Sequence, residues 1–90
     1  MPQYLVESYL ADSPDAVEDA RERARSVEDG EAGIRYVRTT FVPGDEVVLH
    51  LFEAPSSEAL DEAGRLAALS YDRIVEAVER PDVGREGGIT

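Results

Sequence analysis

The order of its local patterns constrains the fold of this chain more than any other feature. Four short segments alternate their side chains with a period of two, as strands in a sheet do. These segments are residues 3–9, 34–42, 47–54 and 73–79. The first and third are each followed by a stretch with apolar residues at helical spacing. The predicted order of elements is therefore βαββαβ.

Both predicted helices begin with a serine cap. Ser13 precedes Pro14, and the first helix should end by Gly30 or Gly33; the second opens at Pro55-Ser56-Ser57-Glu58 and should end near Ser70. With right-handed crossovers, this order gives a ferredoxin-like α+β fold with a four-stranded antiparallel sheet. Both helices then cover the same face of the sheet.

Composition excludes several classes of function. The chain has 90 residues, no cysteine, and 20 acidic against 9 basic residues, all arginine, for a net charge of −11. Such a charge repels phosphate backbones and anionic lipid surfaces, so we expect no nucleic-acid or membrane partner. The N-terminus does not resemble a signal peptide, which predicts a cytoplasmic protein. We expect one domain over residues 1–79 and a flexible tail over residues 80–90, which is rich in Pro, Gly and charge.

The turn between the second and third strands predicts their register. Pro43-Gly44-Asp45-Glu46 is typical of a hairpin in which Val42 faces Val47. The other opposing pairs would then be Thr39–His50, Arg38–Leu51, Val37–Phe52 and Tyr36–Glu53. This register places His50, Phe52 and Val37 on the helix-covered face, and Tyr36, Arg38 and Glu53 on the opposite face.

That opposite face, which we call the open face, has no helix left to cover it. Leu5, Val47, Leu49 and Leu51 should form an apolar patch there, larger than a soluble monomer usually exposes. We therefore expect the open face to pack against a second copy in a two-fold homodimer. Two such sheets would enclose a cavity between them.

Several short stretches resemble one family of bacterial proteins. They are Tyr4-Leu5-Val6-Glu7, Ile34-Arg35-Tyr36-Val37-Arg38-Thr39, Phe52-Glu53-Ala54-Pro55 and Asp72-Arg73-Ile74, which together span most of residues 2–79. The family contains short proteins of largely unknown function that resemble dimeric α+β barrels with a ferredoxin-like fold, and its best-studied member is a nickel-binding protein. The resemblance implies a homodimer, and a site for nickel or another divalent cation.

The chain departs from the family pattern where that pattern carries metal donors. The family commonly has a cysteine two residues before the aromatic-Glu-Ala-Pro element, and His50 holds that place here. A histidine often follows the glutamate of the second helix, whereas here Glu62 is followed by Ala63.

Three residues are candidate metal ligands: His50, Glu7 and Glu53. His50 is the one side chain whose ordinary pKa lies near neutrality, so it is a candidate ligand or general base. The alternative is a structural histidine that is hydrogen-bonded to Thr39 and packed under a helix. His50 and Glu53 have opposite parity, so a bulge in their strand would be needed to bring them together.

The two glutamates suggest a second arrangement. We expect Glu7 and Glu53 in parallel neighbouring strands, forming a paired-carboxylate site on the open face beside Arg38. The alternative is an ion pair of Arg38 with a glutamate at a dimer interface, to which Tyr36 donates its hydroxyl.

Three functions remain open from the sequence. The first is a homodimer that binds a metal or small ligand on the open face. The second is a cofactor-free enzyme of the dimeric α+β barrel kind, and the third is a dimerisation module without a ligand. No P-loop, dinucleotide or protease motif is present to choose among them.

Overall fold

The computed structural model describes residues 1–11 and 13–78. Its strands are β1 (Gln3–Tyr9), β2 (Arg35–Val42), β3 (Val47–Glu53) and β4 (Arg73–Ala77), and its helices are α1 (Pro14–Arg25) and α2 (Ser57–Leu66). The predicted order is confirmed, with element ends shifted by a few residues. The predicted tail, residues 80–90, lies outside the described residues, as does Glu79 at the predicted end of the last strand. Neither described helix is long and apolar enough to cross a membrane.

The strands form a single antiparallel sheet in the order β2-β3-β1-β4. This is the predicted ferredoxin-like α+β arrangement. The expectation that Glu7 and Glu53 lie in parallel strands is wrong, because β1 and β3 pair antiparallel. The crossover through α1 makes β2 run in the same direction as β1, and the hairpin then sends β3 back between them.

Serine caps start both helices as predicted. The Ser13 hydroxyl accepts a hydrogen bond from the Ala16 amide at 3.4 Å, and the Ser56 hydroxyl accepts one from the Ala59 amide at 3.1 Å. Helix α2 ends earlier than Ser70 because Ala68 adopts a left-handed backbone, with φ at 59°. The helix cannot continue through that residue.

The hydrophobic core lies between the two helices and one face of the sheet. Val6 and Phe52 from the sheet, Ala24 from α1 and Leu60 from α2 are all almost inaccessible to solvent. Burying one side chain of this size contributes about 1.5–3 kcal/mol. The helices therefore cover the face that carries Val6 and Phe52, as the sequence predicts.

A bulge in β2 changes the predicted hairpin register at one end. The pairs from Val42–Val47 to Arg38–Leu51 are as predicted, but Val37 is then an extra residue, so that Phe52 pairs with Tyr36. The predicted pairs Val37–Phe52 and Tyr36–Glu53 are wrong for that reason. One inserted residue inverts the facing of everything beyond it, because side chains alternate with a period of two.

Candidate functional site

The open face consists of cross-strand rows fixed by the register. One end row contains Gln3, Glu53 and Arg35; the next contains Leu5, Leu51, Val75 and Arg38; the third contains Glu7, Leu49, Arg73 and Thr40. No described helix or strand covers these rows. The middle row is mostly apolar, and the rows on either side of it each carry a glutamate and an arginine.

The apolar centre is less exposed than the sequence suggested. Leu51 and Val47 are each only 8% exposed, and Leu5 and Leu49 are half-buried. A neighbouring arginine can cover such residues, because the aliphatic stem of an arginine can lie along apolar surface. Arg38 lies directly opposite Leu51 and lines the same cavity as Leu5.

Each carboxylate on the open face is already paired with an arginine. Glu53 accepts a hydrogen bond from Arg35 at 3.1 Å, and Glu7 accepts one from Arg73 at 2.5 Å. The pairing with Glu7 raises the pKa of the Arg73 guanidinium. The side chains of Glu53 and Glu7 are 26% and 20% exposed to solvent, whereas those of Arg35 and Arg73 are 64% and 65% exposed. Charge-assisted hydrogen bonds of this kind are shorter and stronger than those between neutral groups.

The paired-carboxylate site that the sequence suggested does not form within one chain. Glu7 lies opposite Leu49, and Glu53 lies four residues further along β3. Four residues of strand separate the two positions by roughly 13 Å at about 3.3 Å per residue. Both glutamates do reach the open face, as expected. Neither forms an ion pair with Arg38 within the described part of the chain.

Arg38 lies between the two ion pairs and is exposed. It lines a shallow cavity of about 230 Å³ together with Gln3, Leu5, Leu51, Ala77 and Val78. Among residues 1–11 and 13–78 it has no carboxylate partner within ion-pair distance. A guanidinium beside apolar side chains is a feature of anion-binding sites.

His50 lies on the other face of the sheet, among the core residues. It is 1% exposed, and its Nδ1 is 2.8 Å from the Thr39 hydroxyl, which is in turn 2.7 Å from the Tyr36 hydroxyl. Burial lowers the pKa of His50 from 6.5 to about 4, so the imidazole is neutral near neutral pH. His50 is thus buried in the core and hydrogen-bonded to Thr39, and within the chain it does not meet Glu7 or Glu53.

The prediction that Tyr36 lies on the open face is wrong. Beyond the bulge its ring packs edge-on against Phe52, with the ring centres 5.7 Å apart, and its hydroxyl reaches Thr39. A period-two pattern cannot reveal a bulge, since Tyr36 and Val37 both suit either face. Sequence reasoning also missed Arg35 and Arg73 as the partners of the two glutamates.

A second cavity, of about 550 Å³, opens on the helix side at the end of β1. It lies between α1 and the turn that leads into β4, and Ser8, Arg23 and Asp72 line it. Their polar groups are engaged inside the chain: the Ser8 hydroxyl donates to the Ser70 carbonyl, Arg23 donates to the Ala68 carbonyl, and Asp72 accepts from the Tyr9 amide. No sequence motif pointed to this cavity.

Comparisons with known proteins agree with this architecture. The model of a family described as "Nickel responsive protein SCO4226-like" matches residues 4–77, so the chain belongs to that family. The crystal structure of SCO4226 from Streptomyces coelicolor A3(2) resembles it with a TM-score of 0.69 and 17% sequence identity, covering 88% of this chain and 99% of that one. At that identity the likeness supports the fold alone. None of the curated proteins matches the chain significantly.

The described residues do not fit a nickel site within one chain. Nickel in proteins favours imidazole and related donors in a compact set. The imidazole of His50 faces the core, and both carboxylates of the open face bind arginines. Residues 1–11 and 13–78 contain no group of three His, Cys, Asp or Glu side chains close enough to share an ion.

Proposed function

We propose that this member of the nickel-responsive SCO4226-like family is a small homodimeric binding protein, with its ligand held between the open sheet faces of two copies. The observation that carries the proposal is the open face itself. It presents half-buried leucines around an exposed arginine, and no described element of the chain covers it.

The architecture supports the dimer. A sheet normally buries both faces or presents a polar second face to water. The second face here has an apolar centre that includes Leu5, Leu49 and Val75, which are half-buried in the single chain. Packing against a second copy would remove the remaining apolar area from water, at about 25 cal/mol per Å². A two-fold axis is the usual way for one surface to bind itself.

The size of the open-face cavity supports a shared site. In one chain the cavity beside Arg38 has a volume of about 230 Å³ and is open to solvent. Sites for small organic ligands usually enclose about 300–1,000 Å³. A second copy would supply the missing wall, so ligand binding and dimerisation are expected to occur together.

Nickel is the first metal to test, because the family description names it. Since one chain offers no three-donor cluster in its described residues, we place the ligand site on the open face and do not build it on His50. A site for a small organic molecule needs an apolar wall and a few polar groups, and the residues around Arg38 supply both.

The test is the mass of the full chain in solution, measured by sedimentation equilibrium. At high protein concentration wild type should be a dimer, and Leu49→Lys should be a monomer because it adds a further positive charge at the centre of the open face. Leu66→Lys is the matched control, because Leu66 is 84% exposed on α2, away from the sheet. Circular dichroism should show that both variants are folded.

Two results would refute the proposed dimer. One is a wild-type chain that stays monomeric at high protein concentration, with and without small-molecule ligands. The other is a folded Leu49→Lys variant that dimerises as strongly as Leu66→Lys.

A further inference from the structure

The charge of the open face is opposite to that of the chain. The whole chain carries −11, yet the described strands place three arginines and two glutamates on this face. The ion pairs Arg35–Glu53 and Arg73–Glu7 use both glutamates. Within residues 1–11 and 13–78, Arg38 therefore remains as one positive charge that the face does not balance.

Dimerisation makes this imbalance costly. When two open faces meet, two Arg38 guanidiniums approach or enter the interface, and the glutamates there already have partners. A guanidinium removed from water without a counter-charge strongly opposes association. An anion bound beside each Arg38 would remove that cost.

On the basis of the proposed dimer, we propose that Arg38 binds the carboxylate of a small organic acid with an apolar body, and that this binding drives dimerisation. Arginine presents a planar pair of N–H donors that match a carboxylate in bidentate geometry. The cavity walls next to Arg38 are Leu5, Leu51, Ala77 and Val78, which suit a short hydrocarbon chain. Gln3 lines the same cavity and offers an amide for a further polar contact.

The charge of the site also predicts which solutes should not bind there. An organic cation with the same apolar body would meet Arg38 as a like charge. A small inorganic anion such as chloride offers neither a bidentate pair of oxygens nor an apolar body, so it should bind beside Arg38 too weakly to tighten the dimer. The ligand class is therefore defined by the carboxylate and the apolar chain together.

The experiment measures the dimer dissociation constant of the full chain by sedimentation velocity, with hexanoate as the probe. Hexylamine and sodium chloride at the same ionic strength are the control solutes. Hexanoate should tighten the wild-type dimer at least tenfold, while hexylamine and chloride should not. Ligand-observed saturation-transfer NMR should show hexanoate bound to wild type.

Arg38→Met is the matching variant, because methionine keeps an unbranched apolar stem and removes the charge. It should dimerise without hexanoate, at least as tightly as wild type does with it, and should give no saturation-transfer signal. Arg65→Met removes an exposed arginine of α2 and should respond to hexanoate as wild type does.

The outcomes separate this inference from the proposed dimer. A wild-type dimer of equal affinity with hexanoate, hexylamine and chloride would overturn the anion site and leave the dimer standing. An Arg38→Met variant that still responds to hexanoate would also overturn the anion site. A chain that remains a monomer in every solution, for wild type and Arg38→Met alike, would overturn both.

Discussion

Replacing His50 with glutamine should remove one pH-dependent contribution to stability. The imidazole is buried and neutral, with a pKa of about 4 in the folded chain against an ordinary value of 6.5. Between these values the unfolded state binds one more proton than the folded state, so stability falls as the pH falls. Glutamine has no such equilibrium, yet its amide can still hydrogen-bond to the Thr39 hydroxyl.

The size of the effect follows from the two pKa values. The histidine contribution is fully present above pH 6.5 and is lost as the pH falls towards 4. Linkage gives about 1.4 kcal/mol per pH unit, or roughly 3 kcal/mol across the whole window. In a domain of this size, that is a large fraction of the total free energy of unfolding.

Urea unfolding, followed by circular dichroism at several pH values between about 4.5 and 7.5, measures this difference. Wild type and His50→Gln have the same carboxylates, so the contribution of these groups cancels in the comparison. The difference between the two free energies of unfolding therefore isolates the histidine. Wild type should lose stability relative to the variant as the pH falls. Two parallel curves would show that the imidazole is not buried in a neutral state, and would refute this account of His50.

Three further predictions concern the metal, the second helix and the core network. Calorimetric titration with nickel should show no micromolar binding to wild type or to His50→Gln. If wild type binds nickel and His50→Gln does not, His50 is a ligand and its position in the core is wrong. Gly64→Ala should raise the free energy of unfolding by about 0.5–1 kcal/mol, because a new Cβ would meet Tyr71 at an ordinary 3.7 Å; a loss of stability in urea unfolding would show that the helix is packed more closely there. Tyr36→Phe should lower the free energy of unfolding by about 1 kcal/mol, because it removes the hydroxyl bonded to Thr39. An unchanged free energy of unfolding in urea would mean that water replaces this hydrogen bond.

Much of the fold could be predicted from local patterns. The βαββαβ order, the caps at Ser13 and Ser56, and the pairing of Val42 with Val47 all depend on residues close in sequence. The shared helix face follows from the handedness of the crossovers. These features depend on periodicity and turn chemistry, which the sequence displays directly.

The candidate site could be predicted only in part. Glu7, Arg38 and Glu53 do lie on the open face, and His50 does bond to Thr39. The partners of the glutamates were missed because they depend on the register across three strands, including β4. Tyr36 was misplaced because nothing in the local pattern distinguishes Val37 as the extra residue.

That extra residue also sets the charge of the open face. In a regular β2 strand, Tyr36 would lie opposite Glu53 and Arg35 would point to the other face. The open face would then carry two arginines, Arg38 and Arg73, against two glutamates, and its charges would balance. The bulge turns Arg35 onto the open face, where it binds Glu53, and moves Tyr36 against Phe52 in the core. Because Arg35 binds Glu53, the described strands place one arginine more than carboxylates on the open face. The bulge at Val37 is thus the structural cause of the excess positive charge on which the anion site proposed at Arg38 depends.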